Sequence, residues 1–398
     1  MVGDRVAKSG LDVLERAKHG KPAAGPKAGP RAPRWARVCA IVGCVLMVVS
    51  GGLLVTSQVL LARYAGAVDT QDLFGDSGSG SADNAKSDIK GPLNVLLVGI
   101  DPRDEKTAPL SDSIIIVHVP ANLQDAYVFS IPRDLVVDIP PFEKTGFRGG
   151  RAKINSAMSF GSEVGGGRHD VAQGFSLLAR TVSQLTGIRR FDAGAIVNFG
   201  GFRRIVDAMG GVTMTIDQDV RSEHLQPDGK PRPRSAACAS PNSRCDHPYV
   251  GPRKEYQKGR YHLQGWEALD YVRQRYGLPN SDYDRQRHQQ QFIRAMAEQA
   301  LSRDVVTNPA KLDRVLRAAG KSLIFDGKGH SVVDWGLALK GVRPDNMTLI
   351  KLPGRSVTTN GRYQGEALQS TATDFFRSVN DGTVATFLLE HPDFINKV

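Results

Sequence analysis

Arginine is concentrated in the stretch LDYVRQRYGLPNSDYDRQRHQQQF, residues 269–292, which holds four arginines, one histidine and three acids. A helix is predicted to begin near Asp282, where the Ser-x-x-Asp pattern resembles a capping box. Counting back from the apolar Phe292 in steps of three and four residues reaches Gln289, Arg285 and Asp282, so these residues share one stripe. Their side chains are predicted to point inward, where a buried arginine requires an anionic partner. An internal Asp–Arg ion pair without a function explains the stripe equally well.

Further cations are expected to lie near this stripe. Arg133 in SIPRD follows a predicted buried strand, the position at which α/β domains place ligand sites. Planar guanidinium groups bind phosphate oxygens in pairs, and several of them around one pocket would suit a diphosphate. The predicted anion site includes three more cations, Lys153, Arg273 and Arg275.

Two carboxylates stand at the ends of neighbouring predicted strands. Asp101 follows NVLLVGI and Asp112 precedes SIIIVHV, so a hairpin-like return of the chain would bring them together. Two carboxylates beside phosphate-binding arginines are a usual arrangement for Mg²⁺, and Mn²⁺ accepts the same oxygen ligands. The simpler alternative is that each carboxylate only caps a turn.

The elements that must position these residues follow from hydrophobic patterning. Strands are predicted where runs are apolar at every position, which is typical of strands buried on both faces: residues 94–100, 113–119, 126–131, 195–199 and 211–216. Helices are predicted at residues 170–187, 200–209, 264–275 and 281–302. This pattern indicates an α/β domain over residues 93–398 with helices on both sides of a sheet. Residues 221–258, rich in Pro and Gly, are predicted to form an exposed insertion.

The N-terminus predicts a membrane anchor. Residues 1–37 hold nine Lys/Arg and three acids and form a basic, disordered tail, and residues 38–62 follow without a charge. Twenty-five such residues suffice to cross the ~30 Å hydrocarbon core as a helix. Excess Lys/Arg marks the cytoplasmic flank, so we predict a single-pass protein of the cell membrane with the domain outside, joined by a flexible linker at 63–92. A cleaved signal peptide is the alternative.

Other features exclude some classes of protein. Much of the net charge of +11 lies in the tail and not in the domain, which argues against nucleic-acid binding. The chain has no Walker lysine, no GxGxxG after a strand and no serine nucleophile elbow. Cys238 and Cys245 are seven residues apart in CASPNSRC, so a small disulfide loop is expected on the oxidising side of the membrane.

Seven motifs in order, from Asn94 to Gln290, resemble those of the LytR–CpsA–Psr family: NVLLVGIDPR, SDSIIIV, FSIPRDLVVDIP, KINSAMSFG, VNFGGFRRIVDAMGGV, LQGWEALDYVRQR and DYDRQRHQQ. The resemblance implies a three-layer α/β/α sandwich with a central mixed sheet, anchored in the membrane. It implies a phosphotransferase that moves a glycopolymer from a polyprenyl-diphosphate lipid onto peptidoglycan.

The resemblance also implies roles for residues. The metal ligands would be Asp101 and Asp112, and an apolar groove would hold the lipid tail. The diphosphate would contact Arg133, Lys153, Arg273, Arg275, Arg285 and Gln289. For such a transfer, a nearby carboxylate would take the acceptor's proton, and the candidates are Asp134 and Asp282, beside the catalytic arginines Arg133 and Arg285.

Two positions depart from the family pattern. Leu110 and His288 stand where the family commonly has arginine, and Arg103 is expected to replace the first of these contacts. A polyprenyl-diphosphate pyrophosphatase would use the same residues, and Leu110 is also compatible with a lipid-binding or regulatory membrane protein without catalysis.

Overall fold

The computed structural model describes residues 68–75, 88–102, 104, 106–238, 245, 247–302, 308–320 and 322–396. The predicted tail at 1–37 and the predicted span at 38–62 lie outside these residues. Within them, none of the helices combines the length and the apolar character needed to cross a bilayer.

The described strands are, in chain order, β1 (Asp69–Thr70), β2 (Leu93–Ile100), β3 (Ser111–Val119), β4 (Ala126–Ser130), β5 (Val136–Ile139), β6 (Gly150–Lys153), β7 (Ala193–Asn198), β8 (Val212–Ile216), β9 (Val220–Arg221), β10 (Glu255–Tyr256), β11 (Gly259–Leu263), β12 (Leu323–Asp326), β13 (Met347–Ile350), β14 (Gly354–Thr359) and β15 (Arg362–Leu368). The described α-helices are α1 (Ser156–Ser162), α2 (Val171–Thr186), α3 (Phe199–Ala208), α4 (Gly265–Arg273), α5 (Asp282–Ala300), α6 (Pro309–Gly320), α7 (Val332–Ala338), α8 (Ser370–Asp381) and α9 (Val384–Glu390).

Seven strands form a mixed central sheet in the order β1-β12-β7-β2-β3-β4-β13. The β2–β3 hairpin at its centre is antiparallel, and β2 pairs in parallel with β7 on its other side. One face of the sheet packs on α1, α2, α8 and α9 through a core that includes Phe129, Phe175 and Phe375. The other face packs on α3, α5, α6 and α7. The predicted mixed sheet flanked by helices is confirmed.

Local signals in the sequence explain where helices begin and end. Asp170 caps α2 by accepting hydrogen bonds from the N–H groups of Ala172 and Gln173, at 2.9 and 3.0 Å. Gly187 ends the same helix with φ of +73°, a conformation that glycine adopts without strain. Asn198 caps α3 through a 2.7 Å bond from the N–H of Gly201.

The predicted strand at 211–216 is a strand, but it does not belong to the central sheet. Residues 212–216 pair only with β11, and their burial alternates instead of covering both faces. Thr213 and Thr215 face the more exposed side, so the polar residue at every second position marks a strand with one covered face.

The predicted linker at 63–92 is partly wrong, because residues 68–75 belong to the folded domain. Strand β1 pairs in parallel with β12 at the edge of the sheet. Leu73 is fully buried, and Phe74 packs against Phe175 and Phe191. A two-residue strand among Gly, Ser and Asp is too short to produce a hydrophobic pattern.

The segment 221–258 contains only short elements, and much of it is exposed, but parts of it are anchored in the domain. Ser222 is fully buried and donates a 2.9 Å hydrogen bond to Asp270 on α4. Arg232 is also buried, with its guanidinium bonded to the carbonyl of Glu223. A disulfide joins Cys238 to Cys245 within the segment.

Candidate active site

The predicted site residues that the structure describes lie near one end of the central strands of the sheet, which is called the site edge below. Strand β2 ends there at Ile100, directly before Asp101, and the antiparallel β3 begins there, directly before Asp112. Strand β4 runs antiparallel to β3 and reaches the same edge, where the chain continues to Arg133. The hairpin thus brings the two aspartates to the site edge, as its pattern predicted.

A chain of alternating charges crosses the site edge. Arg133 Nη1 lies 2.5 Å from Asp112 Oδ1, and Arg133 Nε lies 3.8 Å from Asp134 Oδ2. Asp134 Oδ1 in turn lies 3.0 Å from Lys153 Nζ at the end of β6. Burial acts against the charge of Arg133, but Asp112 and the other nearby carboxylates outweigh it and raise its pKa. Arg133 therefore stays a cation in the site.

Helix α5 supplies a second guanidinium group. It begins at Asp282 as predicted, but the predicted capping box is absent, because Ser281 has φ of +47° and its side chain caps no N–H group. Arg285 is only 6% exposed, and its Nη2 lies 2.8 Å from Asp282 Oδ1. Burial lowers the pKa of Arg285; Asp282 opposes this, and the nearby charge of Arg133 adds to it.

Four buried arginine Nε atoms have no hydrogen-bond acceptor among the residues that the structure describes, and two of these arginines, Arg232 and Arg287, lie elsewhere in ion pairs with Glu223 and Asp217. The other two are Nε of Arg133 and Nε of Arg285, which lie at the predicted anion site. A buried donor without a partner costs free energy, so such groups in a folded protein call for an explanation. An anion bound between the two arginines would supply the acceptors.

The end of α4 and the segment that follows it contribute two further arginines. Arg273 Nη2 lies 3.1 Å from Asp101 Oδ2, and its guanidinium stacks 4.1 Å from the ring centre of Phe199. Arg275 contacts the hydroxyl of Tyr276 at 3.2 Å, and its charge also acts on Arg285. The predicted Arg103 lies outside the described residues.

Gln289 connects the helix layer to the sheet. Its side-chain oxygen accepts a 3.0 Å hydrogen bond from the hydroxyl of Ser113 on β3. Its side-chain nitrogen donates a 3.3 Å bond to the carbonyl of Val272 on α4. Both amide atoms are therefore used to hold the three elements together beside the arginines.

An apolar slot of about 240 Å³ lies between the sheet and helices α3, α4 and α5. Its walls include Leu97, Ile115, Val197, Phe202 and Phe292, and Arg273 and Gln289 also line it. A polar cavity of about 580 Å³ adjoins the first turn of α5, and Asp134, Arg275 and Asp282 line it. Asp282 and Gln289, about two turns apart on α5, thus line the cavity and the slot, with Arg285 between them.

Asp101 and Asp112 could contribute two carboxylate ligands to a metal ion. Asp101 and Asp112 are each paired with an arginine. Within the described ranges, no cluster of three His, Cys, Asp or Glu side chains is arranged to hold a metal. Because Mg²⁺ is commonly held by one or two carboxylates together with phosphate oxygens, the two aspartates fit Mg²⁺ when a phosphate-bearing ligand is bound.

A second polar network on α5 was not predicted. Asp217, in the loop after β8, lies 2.7 Å from Arg287 Nε and accepts a 2.8 Å bond from Gln291. Burial alone would raise the pKa of Asp217, but hydrogen bonds from His288 and Gln291 and the charge of Arg287 lower it to about 2. Only the helical spacing of Arg287 and Gln291, four residues apart, marked this second face in the sequence.

The two departures from the family pattern lie in different surroundings. His288 is fully buried, stacks at 4.5 Å on Tyr271 and contacts Gln218 at 3.2 Å, so it belongs to the Asp217 network. Leu110 is 41% exposed on the turn that precedes β3.

The fold and the site define a class of α/β protein in which arginines and carboxylates cluster between an apolar slot and a polar cavity. The model of the LytR_cpsA_psr family matches residues 64–379. The chain therefore belongs to the LytR–CpsA–Psr family, as its motifs indicated.

Named relatives support this assignment. The cell wall biosynthesis protein LcpA of Corynebacterium glutamicum is 29% identical over 371 residues, which cover 84% of this chain and 62% of LcpA. The polyisoprenyl-teichoic acid–peptidoglycan teichoic acid transferase TagU of Bacillus cereus is 26% identical over 233 residues, 58% of this chain and 60% of TagU. The chain thus spans less than two thirds of the length of either relative.

A solved structure shows the same fold. The crystal structure of protein gbs0355 from Streptococcus agalactiae has a TM-score of 0.55 with 21% identity, covering 77% of this chain and 91% of that chain.

Proposed function

We propose that this chain is a phosphotransferase that moves a glycopolymer from a polyprenyl-diphosphate lipid onto peptidoglycan. The single observation that carries the proposal is that Arg133 and Arg285, close enough for the charge of one to act on the other, each have a buried Nε without an acceptor among the described residues. The name of the TagU relative, a transferase that acts on polyisoprenyl-linked teichoic acid and peptidoglycan, supports this reaction class.

The reaction breaks the phosphoanhydride bond of the diphosphate and forms a phosphodiester. A hydroxyl oxygen of peptidoglycan attacks the phosphorus that carries the glycopolymer, and the bond from that phosphorus to the bridging oxygen of the diphosphate breaks. The leaving group is polyprenyl phosphate, and the hydroxyl proton passes to Asp134 or Asp282, both of which line the polar cavity. Arg133 and Arg285 stabilise the charge that develops on the phosphoryl oxygens, which is the main contribution a protein makes to phosphoryl transfer.

The remaining cations and Gln289 orient the donor. Lys153 holds Asp134, while Arg273 and Arg275 extend the positive surface from the slot to the cavity. Gln289 keeps α5 against β3. A divalent cation, Mg²⁺ or Mn²⁺, would be held by Asp101 and Asp112 with phosphate oxygens, and it would neutralise charge on the diphosphate.

The apolar slot would hold the first part of the lipid tail. Its lining is almost entirely hydrocarbon, so it cannot satisfy a sugar, and it meets the arginines at Arg273. A lipid donor requires the site to work at a membrane surface, which agrees with the proposed span at 38–62, a cytoplasmic tail at 1–37 and a domain outside the cell.

The experiment that tests the proposal is Asp112→Ala in a strain that lacks the native copy. Removing one proposed metal ligand should abolish attachment of glycopolymer to peptidoglycan, measured by mass spectrometry of wall-linked glycans. Asp125→Ala is the matched control, because Asp125 pairs with Asn122 at the far end of strand β3 and should leave attachment intact.

Circular dichroism of purified Asp112→Ala protein should show a native fold. Unchanged attachment in this variant would contradict the proposal. Release of polyprenyl phosphate by the wild-type protein without any acceptor transfer would instead identify it as a pyrophosphatase.

A further inference from the structure

The hairpin formed by β14 and β15 is fixed directly to the segment after β4 that carries Arg133 and Asp134. The N–H of Glu366 donates a 2.8 Å hydrogen bond to the carbonyl of Asp134, and Leu135 and Glu366 form a parallel bridge. Gly365 packs against the same carbonyl so closely that a side chain there would clash. The hairpin is therefore a wall of the polar cavity that begins at Asp134.

A buried carboxylate organises this wall. Glu366 is 6% exposed and makes no ion pair with any described residue. It accepts hydrogen bonds from three hydroxyl groups, those of Tyr363 at 2.9 Å, Ser356 at 3.0 Å and Tyr283 at 3.3 Å. Burial and the bond to Glu366 raise the pKa of Tyr363 and of Tyr283, so both phenols remain protonated donors.

The same bonds fix an aromatic surface at the cavity. Tyr363 is 48% exposed, although its hydroxyl is tied to Glu366, so one end of its ring is fixed while much of the ring stays open. Lys153, which also holds Asp134, lies 5.0 Å from the centre of the ring. The ring therefore stands beside the carboxylate that is proposed to take up the acceptor's proton.

We propose that this cavity is a glycan subsite in which a sugar ring lies on Tyr363 and bonds its hydroxyl groups to the polar wall. An aromatic face suits the C–H face of a pyranose, and neighbouring hydroxyl, carboxylate and guanidinium groups suit its hydroxyls. Ser356, Glu366 and Arg355 provide such groups in the lining of the same cavity. The volume of about 580 Å³ is in the range of small-ligand sites, which is about 300–1,000 Å³.

This inference rests on the proposed function to identify the sugar. The sugar would belong either to the lipid-linked donor or to the peptidoglycan acceptor. Calorimetric titration of the full-length protein with three probes separates these sources. The probes are farnesyl diphosphate, N-acetylglucosaminyl farnesyl diphosphate, and a soluble tetrasaccharide of alternating N-acetylglucosamine and N-acetylmuramic acid.

Tyr363→Ala should raise the Kd of a sugar-bearing probe about tenfold while the Kd of farnesyl diphosphate stays unchanged. Tyr363→Phe keeps the ring but loses the bond to Glu366, so its effect should be smaller, about threefold. Glu366→Gln should show the same selectivity for sugar, because it loosens all three hydroxyl groups. Tyr261→Ala removes another exposed tyrosine, on β11, and should change no affinity.

A selective loss with the farnesyl-linked sugar identifies a donor subsite, and a selective loss with the tetrasaccharide identifies an acceptor subsite. Equal loss for farnesyl diphosphate, or unchanged affinity for both sugar-bearing probes, would overturn the inference. Wild-type protein that binds the tetrasaccharide through Tyr363 but ignores farnesyl diphosphate would retain the glycan subsite and remove the proposed function.

Discussion

Arg133 and Arg285 each hold a carboxylate at one terminal nitrogen and leave Nε without an acceptor in the described part of the chain. This arrangement keeps each guanidinium group in a fixed orientation before a ligand arrives. Fixed donors need no reorganisation as charge develops, which is why such groups are effective in catalysis. The two guanidinium groups are therefore already oriented to bind an anion before it arrives.

Arg285→Lys tests the importance of the guanidinium shape. Lysine keeps the positive charge but has neither the Nε donor nor the planar fork, so kcat/KM for glycopolymer transfer should fall about 100-fold. The measurement is a transfer assay with lipid-linked glycopolymer and purified peptidoglycan, with thermal unfolding as a check of the fold.

Arg294→Lys is the matched control on the same helix, because Arg294 pairs only loosely, at 3.6 Å, with the exposed Asp345. It should transfer at the wild-type rate. Full activity in Arg285→Lys would show that charge alone is sufficient at this position.

The inward stripe of α5 was predictable because helical periodicity links Asp282, Arg285 and Gln289 to a buried phenylalanine. The conformation of Ser281 was not predictable, since its φ of +47° depends on the preceding turn, in which Asn280 bonds to Asp284. The burial of His288 could not be predicted from the sequence either. Its burial depends on Tyr271, seventeen residues earlier, and on Asp217, which reaches the helix from the loop after β8.

Among the elements, α5 is covered on more than one side. Its residue Gln290 donates bonds to Ser130 and to the carbonyl of Ile350 on the sheet. Asp217 holds Arg287 and Gln291 elsewhere on the helix. Because polar contacts fix the helix from several directions, its site-bearing stripe has little freedom to rotate.

Strand β3 carries a buried histidine that makes folding stability depend on pH. His118 is 2% exposed, its Nδ1 lies 2.9 Å from Asn94 Oδ1, and burial lowers its pKa to about 4. In the unfolded chain its pKa is about 6.5, so the unfolded state binds the proton first as the pH falls. This contribution to stability is complete above pH 6.5 and is lost progressively towards pH 4.

The wild-type domain should therefore lose about 2 kcal/mol of unfolding free energy between pH 7 and pH 5 through His118. His118→Gln removes the titrating group, so its unfolding free energy should change less over the same interval. Guanidinium unfolding at the two pH values measures the difference. The exposed His262→Gln is the control, and an identical pH dependence in wild type and His118→Gln would contradict the assignment.

The long elements could be predicted from the sequence, but the short ones could not. Strands β2, β3, β4 and β7 are continuous apolar runs, and helices α2 to α5 have clear periodicity. Strand β1 is two residues long, and strands β14 and β15 contain few apolar residues. Neither therefore shows the apolar pattern that predicts a strand. Both are defined by contacts with distant parts of the chain, β1 with β12 and Glu366 with Asp134.

For the molecule as a whole, the site lies where two compartments of opposite character meet. The slot between sheet and helices is apolar, and the cavity bounded by the hairpin is polar. Such a boundary matches a ligand that has a hydrocarbon tail at one end and a polar chain at the other.

Ala195→Met tests the slot without touching the arginines. Ala195 lies on β7 and lines the slot, so a longer side chain there should occupy space needed by the lipid. The Kd of farnesyl diphosphate should rise about tenfold, since each hydrocarbon group denied burial costs free energy. The Kd of inorganic pyrophosphate should not change.

Ala121→Met, at an exposed turn, is the control for the added side chain and should leave both affinities unchanged. An equal loss for pyrophosphate would mean that the substitution disturbs the anion site and not the slot.

Helix α5 also sets a fixed spacing between two of the site residues. Asp282 and Gln289 are seven residues apart, which corresponds to about 10 Å along the helix axis. A rigid helix cannot shorten to follow a smaller ligand, so a longer spacer between hydrocarbon and sugar covers more of this distance. A lipid joined to its sugar through a single phosphate spans less of this distance than a diphosphate does, so the protein is expected to bind it less tightly.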